Sequence, residues 1–349
     1  MQKRIDVIDA LRAVTLLGIL LTHTAQLFCF SNMYNEQVQM YMENNSLVHY
    51  ILLLFSGKCK IIFSILFGLS FYFLLRNPNY SNYKYVWRCI LLIGFGLLNK
   101  LFYTTEILMW YGLCGILILP FRHIKSKTIL YFSLFIYLLF LFLRTVNIEF
   151  MSFERDFYIR YNMNSSMIDI ILYPIYSSVL DYMDIVFPNG ILETVSFFLL
   201  GYYIGKSEII LSLNHYINLW TVIVFGGIYA LTTFIYHQSF DLLWYNLKSL
   251  AGALSYSITF IYIYLKLEIR LRGLECYGKM GLTNYTLQNI IGVVTSFLIF
   301  IPYNYSFELI LFCVFIYYTL QLIFSFLWLK YNKYGPMEYV WRHITNLIN

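Results

Sequence analysis

The chain has 349 residues, of which 60% are hydrophobic and only 12% are charged, and its formal net charge is +6. Soluble domains carry about 25% charged residues, so this composition excludes a water-soluble fold, which cannot bury that much apolar surface. The six cysteines form no CxxC pair, and the sequence holds no metal-ligand cluster, Walker loop or GxGxxG motif. We therefore expect one membrane domain over residues 1–349, without a bound metal.

Apolar segments that can cross a bilayer follow one another along the chain. A spanning helix needs about 20 mostly apolar residues. The candidate spans cover residues 9–30, 47–75, 86–103, 106–121, 128–147, 187–205, 217–236, 244–265, 281–301 and 307–329. The third and fourth are separated only by a short turn, so an error in the count would fall at 86–121. The pattern predicts an all-α, polytopic transmembrane helix bundle with about ten spans.

Positive charge is concentrated in every second connection and at both ends of the chain. Sixteen of the 24 Lys and Arg residues lie there: Lys3, Arg4, Arg76, Lys84, Arg88, Arg122, Lys125, Lys127, Lys206, Lys266, Arg270, Arg272, Lys279, Lys330, Lys333 and Arg342. Because cytoplasmic connections are enriched in Lys and Arg, both termini are predicted to be cytoplasmic, with 331–349 as a cytoplasmic tail. This distribution fits a lipid bilayer as the partner, and no nucleic-acid partner is expected.

Residues 148–186 form the one long connection outside the predicted spans, on the external side. The segment is acidic overall and contains five tyrosines. One interpretation is an interfacial amphipathic segment with an aromatic belt. The other is a lid or an acceptor-binding loop.

The first predicted span carries ionisable groups along one face. Asp9 and Arg12 are three residues apart, so they can pair. His23 lies eleven residues after Arg12, which is three helical turns and about 16 Å further along the same face. A structural ion pair and an interhelical hydrogen bond would explain these residues, but a buried histidine is also a good proton acceptor near neutral pH.

Two further groups of polar residues lie in or beside the second, third and fourth spans. Lys58 and Lys60 fall inside the second span, where each needs either a structural carboxylate or an anionic substrate group. Asn99, Lys100 and Glu106 lie at the outer turn between the third and fourth spans. These positions are candidates for substrate binding.

The start of the ninth span carries another polar face. Asn284 and Gln288 are four residues apart and therefore share one side of a helix, with Tyr285 beside them. Hydrogen bonding between helices is one explanation of such residues. A contribution to a substrate site is the other.

Six segments, taken in order, resemble the YeiB-like family, which is catalogued as domain of unknown function 418. They are RIDVIDALRAVTLLGILL, GKCKIIFSILFGLSF, WRCILLIGFGLLNKLFYTTEILMWYGLCGILILPFR, FLLGYYIGK, YGKMGLTNYTLQ and YGPMEYVWR, the last of which contains Arg342. This chain departs from the family pattern at several positions. The family usually has glycine in place of Ala13, asparagine in place of His23, and His and Asp in place of Asn99 and Glu106.

The YeiB-like family is distantly similar to membrane acyltransferases, namely acyltransferase family 3 and the heparan glucosaminide acetyltransferases. Acyltransferase family 3 begins with an aspartate, an arginine three residues later and a histidine fourteen after the aspartate. Asp9, Arg12 and His23 have that spacing. The resemblance implies that these three residues are catalytic, with the histidine as the reacting group.

Three functions remain open from the sequence. In the first, acyl-CoA enters from the cytoplasm near Arg12, and His23 activates an external sugar or envelope acceptor. The residues that would bind substrate are Lys58, Lys60, Asn99, Glu106, Asn284, Tyr285, Gln288 and Arg342. The others are a transporter of a small solute or lipid and a non-catalytic membrane scaffold. All three place the protein in a bacterial cytoplasmic membrane.

Overall fold

A computed structural model of the chain describes residues 6–32, 46–100, 106–145, 189–239, 241–266, 271–295 and 305–347. In these ranges every regular element is helical. The α-helices are α1 Asp6–Asn32, α2 Ser46–Phe55, α3 Lys58–Leu75, α4 Asn82–Lys100, α5 Leu108–Leu117, α6 Ser126–Thr145, α7 Asn189–Lys206, α8 Leu213–Tyr216, α9 Leu219–Ser239, α10 Leu242–Lys266, α11 Arg272–Lys279, α12 Gly281–Thr295, α13 Phe307–Tyr331 and α14 Pro336–Asn346. Two 3-10 helices, Leu119–His123 and Ile209–Ser212, complete the elements. The predicted external connection 148–186 lies outside the described residues.

Five helical segments are long and apolar enough to cross a membrane. They are Asp6–Gln26, Leu47–Leu75, Ser126–Thr145, Leu219–Ser239 and Phe307–Tyr331. The all-helical membrane class is therefore confirmed. The other five predicted spans coincide with α4, α5, α7, α10 and α12, which are shorter or more polar.

The second predicted span is broken rather than continuous. The structure interrupts it at Ser56 and Gly57, between α2 and α3. Gly57 adopts a φ of 74°, in the left-handed region that glycine tolerates best. A Cβ at this position would also lie 2.8 Å from the Ser249 hydroxyl. The break makes Lys58 the first residue of a helix, whereas the sequence placed it within a helix.

Helix α1 lies at the centre of the described structure. It packs against α2, α3 and α10 to α13. Ala10, Ala13 and Leu16 are fully buried, since small and apolar side chains let neighbouring helices approach closely. Gly278 of α11 allows the closest approach, because a Cβ there would overlap the backbone of Asp9.

Helices α3 and α7 also meet closely, at a pair of glycines. A Cβ on Gly68 would clash with the Phe198 carbonyl, and one on Gly201 would clash with the Ile65 carbonyl. Beside this crossing, the ring centroids of Phe67 and Tyr111 lie 4.8 Å apart, and Tyr111 also contacts Phe198. This aromatic core holds α3, α5 and α7 together.

The predicted tail 331–349 contains a helix that docks on the bundle. Helix α14 packs against α4 and α12. Glu338 accepts hydrogen bonds from the backbone N–H groups of Leu282 (2.8 Å) and Thr283 (3.1 Å), and the Thr283 hydroxyl accepts one from the Met337 N–H at 3.0 Å. The two helices therefore cap each other's first turns.

Whereas α1 is largely buried, helix α9 is largely exposed. It packs against α10, and most of its large side chains are exposed, as Trp220 and Phe234 show. An exposed apolar helix in a chain of this composition is suited to contact with lipid.

Candidate functional site

Asp9 and Arg12 form the ion pair that their spacing predicts. The Arg12 guanidinium donates to Asp9 Oδ1 at 2.7 Å, and its other terminal nitrogen donates to the Ser70 hydroxyl of α3 at 2.5 Å. Asp9 is buried, and Arg12 is largely so. Both ends of the guanidinium are thus engaged inside the protein, and the pair ties α1 to α3.

At the other end of α1, the His23 imidazole lies beside the Asn289 side chain of α12, close enough for a hydrogen bond. The Asn289 Nδ2 atom has no hydrogen-bond partner within the described part of the chain. A neutral imidazole has one nitrogen that donates and one that accepts, so His23 carries the chemistry of a proton acceptor at this position.

Glu106 is a buried carboxylate that begins α5. It accepts hydrogen bonds from the backbone N–H groups of Leu108 at 2.7 Å and Met109 at 3.0 Å. The Asn99 amide of α4 and the Tyr285 hydroxyl of α12 also lie close to this carboxylate. All three side chains are buried. The structure thus brings Tyr285 of the ninth predicted span to the turn where the sequence placed Asn99 and Glu106.

His23 and Glu106 are linked through one face of α12. Tyr285, which contacts Glu106, and Asn289, which contacts His23, are four residues apart and therefore adjacent on the helix surface. We call His23, Asn99, Glu106, Tyr285 and Asn289 the His23–Glu106 patch. It combines a proton acceptor, a carboxylate, a phenol and two amides in an otherwise apolar interior.

The predicted Asn284–Gln288 face points elsewhere, toward α13. The Asn284 amide donates to the Tyr277 carbonyl and to the Ser325 hydroxyl, both at 3.0 Å. Gln288 donates to the Tyr277 hydroxyl at 2.6 Å, and that hydroxyl donates to Gln321 at 2.9 Å. This is a buried network between helices, and its geometry favours the structural interpretation of these residues.

Lys58 has a buried lysine as its neighbour. The Lys58 ammonium donates to the Leu53 carbonyl at 2.7 Å and lies 5.5 Å from the centre of the Tyr229 ring. Lys248 of α10 is close enough to Lys58 for the two charges to repel each other. The Lys248 ammonium lies 3.7 Å from the centre of the Tyr236 ring. In the described ranges neither lysine has a carboxylate partner.

The two remaining predicted binding residues lie apart from the patch. Lys60 pairs with Glu193 of α7 at 2.9 Å, which supplies the structural carboxylate that the sequence left open. Arg342 lies on α14, with its guanidinium carbon 4.2 Å from the centre of the Tyr334 ring. The predicted site residues therefore fall into several clusters.

Four contributing residues were missed by sequence reasoning: Ser70, Glu193, Lys248 and Asn289. Lys248 carried a signal, because it is an ionisable residue inside a predicted span. Asn289 carried a weaker one, since it lies one turn after Tyr285. Among the described residues, no group of three or more His, Cys, Asp or Glu side chains is arranged to hold a metal ion.

Comparison with known proteins finds a matching family model and several uncharacterized relatives. Residues 207–348 match the family model described as a protein of unknown function, DUF418. An uncharacterized 39.9 kDa protein from the amylase 3' region of Bacillus acidopullulyticus is 27% identical, over 99% of this chain and 94% of its own length. The uncharacterized protein YxaH of Bacillus subtilis strain 168 is also 27% identical, over 99% of this chain and 95% of its own.

The uncharacterized protein YeiB of Escherichia coli K12 is 33% identical over 73 residues, which are 21% of this chain and 19% of that protein. These matches support the resemblance to the YeiB-like family, and the DUF418 model itself covers the C-terminal part of the chain. No solved structure shows a significant match. The DUF418 match includes Lys248, Asn284 to Asn289 and Arg342, whereas His23 and Glu106 precede it.

Proposed function

We propose that this DUF418 protein is an integral membrane acyltransferase of the bacterial cytoplasmic membrane, with about ten spans and both termini in the cytoplasm. It moves an acyl group, such as acetyl, from cytoplasmic acyl-CoA to a sugar or envelope acceptor that is presented outside. The alternation of Lys and Arg between connections supports this orientation. In this orientation, Asp9 lies at the cytoplasmic end of α1, and His23 lies in the half of α1 that is nearer the outside.

The His23–Glu106 patch is the observation that carries the proposal. Its imidazole lies beside Asn289, and a neutral imidazole has one acceptor nitrogen. That nitrogen takes the proton of the acceptor hydroxyl or amine as the acceptor attacks the thioester carbonyl. The carbon–sulfur bond then breaks, and the imidazolium returns the proton to the CoA thiolate.

The neighbouring groups have supporting roles in this reaction. The Asn99 amide and the Tyr285 hydroxyl lie close to Glu106, and as donors in the patch they can stabilise the negative charge that develops on the carbonyl oxygen. Glu106 keeps the first turn of α5 in place through its two backbone hydrogen bonds. The Asp9–Arg12–Ser70 contacts fix α1 against α3, and Arg12 in this role is a positioning residue.

The test is release of free CoA thiol from acetyl-CoA by the purified protein in the presence of candidate sugar acceptors. We expect His23→Ala to lower the rate by about 100-fold or more. The matched control is His215→Ala, because His215 is an exposed histidine far along the chain from the patch. Equal rates in the wild type and His23→Ala would exclude this role for His23.

A second function, transport of an anionic solute, is favoured by Lys58 and Lys248. Both lysines are buried and lack a carboxylate partner among the described residues. Buried cations in helices that the sequence assigns to the membrane are typical of a substrate pathway. Uptake of an organic anion into proteoliposomes without acyl-CoA, and its loss in Lys58→Met with Lys248→Met, would support this alternative. An absence of uptake together with acetyl transfer would exclude it.

A further inference from the structure

Two arginines are held side by side where α14 docks on α4. The guanidinium carbon of Arg88 lies 3.9 Å from the centre of the Trp341 ring, and that of Arg342 lies 4.2 Å from the Tyr334 ring. The Trp341 indole N–H also donates to the Arg88 carbonyl at 3.0 Å. Stacking on aromatic faces orients both guanidinium groups and leaves N–H edges available for a ligand.

The charge of this arginine pair is not balanced within the described structure. Arg88 and Arg342 are close enough to repel each other, and neither pairs with a carboxylate in the ranges described. Glu338, one turn before Arg342 on α14, is occupied by the first turn of α12. Two adjacent cations without a counter-charge among the described residues are suited to binding an anion.

Tyr80 adds a neutral donor to the pair. It lies in the connection between α3 and α4, and its side chain is close to Arg88. Burial raises the pKa of the Tyr80 phenol, so the group keeps its proton. A protonated phenol beside the guanidinium can donate its O–H to a ligand. Two guanidinium groups and a hydroxyl together suit the oxygens of a phosphate.

The site is connected to the His23–Glu106 patch along one helix. Asn99 follows Arg88 by eleven residues on α4, which is three turns and about 16 Å on nearly the same face. An extended pantetheine arm covers a distance of this order. By contrast, Arg12 has both ends of its guanidinium engaged by Asp9 and Ser70. Arg12, near which the sequence placed the entry of acyl-CoA, is therefore less suited to holding the donor phosphates than Arg88.

We propose that Arg88, Arg342 and Tyr80 form a phosphate-binding site at the junction of α4 and α14. In the acyl-transfer reaction, which this assignment of the ligand assumes, the site binds the phosphates of the CoA donor, with the thioester reaching along α4 toward His23. The same chemistry would bind the head group of an anionic phospholipid. The phosphate site itself does not depend on the proposed reaction.

The test measures CoA binding by the full-length protein in nanodiscs of zwitterionic lipid. Arg88→Gln with Arg342→Gln should weaken binding by about tenfold or more, since charge-assisted hydrogen bonds are lost. The control is Lys125→Gln with Lys127→Gln, which removes two exposed cations from a connection that is also predicted to be cytoplasmic. It should leave the affinity for CoA within about twofold of the wild type. Arg88→Lys with Arg342→Lys keeps the charge and should give an intermediate affinity.

The other ligand source is tested by co-purification of anionic phospholipid with each variant. Loss of bound phospholipid in the double Gln variant, with unchanged CoA affinity, would keep the phosphate site and assign it to lipid. No change in either ligand, in a variant that elutes as a single species, would overturn the site. Acetyl transfer by the wild type is scored separately, so its absence would refute the reaction and leave the binding result intact.

Discussion

Helix α12 has two adjacent polar faces that differ in how their hydrogen bonds are satisfied. Asn284 and Gln288 donate to Tyr277, Ser325 and the network at Gln321. On the other face, the Asn289 Nδ2 atom lacks a partner within the described chain, although it is buried. A buried polar group without a partner costs roughly 1–3 kcal/mol. The first face therefore stabilises the fold, and the unpartnered group on the second supports the proposal that a ligand binds there.

The strongest test of this comparison exchanges residues within the patch. His23→Asn alone should lower acetyl transfer by about 100-fold or more, because the general base is removed. The YeiB-like pattern has Asn and His at the positions of His23 and Asn99. The double variant His23→Asn with Asn99→His returns an imidazole to the patch from α4, so we expect it to regain about tenfold of the lost rate.

The rates of wild type, single and double variants are measured as CoA thiol release. Asn99→His alone is the control, because it alters α4 without removing His23. A double variant as slow as His23→Asn would show that the two positions do not share one site.

A smaller effect is expected for Asn289→Leu. The imidazole loses the amide beside it, and misplacement of a catalytic group by about 1 Å can cost up to about 100-fold in rate. We expect a rate about 10-fold to 100-fold lower with a nearly unchanged melting temperature, since the lost amide already has an unpartnered donor. A large fall in melting temperature would instead make the Asn289 face structural.

The smallest effect on activity is expected for Asn284→Leu. This change removes two donated hydrogen bonds and leaves the Ser325 hydroxyl and the Tyr277 carbonyl without their partner. The expected loss of stability is about 1–3 kcal/mol, which thermal unfolding in detergent can detect, while the rate per folded molecule stays the same. Loss of activity at full stability would reverse the roles of the two faces.

Local features of the structure were predictable from the sequence. The Asp9–Arg12 pair and the shared face of Asn284 and Gln288 follow from spacings of three and four residues, which any α-helix brings together. The break at Gly57 was not predicted, because a single glycine within an apolar run carries no clear signal for a helix end. The docking of α14 was missed for a different reason. Glu338 holds α14 in place, but an acidic residue in the first turn of a helix is common. The sequence does not show that its partners are Leu282 and Thr283.

By itself the sequence determined the all-helical membrane class, the apolar segments and which residues share a helical face, because each follows from composition or from the helical repeat. Only the tertiary structure decided which face of α12 meets α1, that Arg12 is engaged by Ser70, that Lys58 lies near Lys248, and that Arg342 joins Arg88. These contacts depend on how each helix is rotated and crossed against its neighbours, and that is set by close packing at positions such as Gly68, Gly201 and Gly278. No spacing along the chain encodes those rotations.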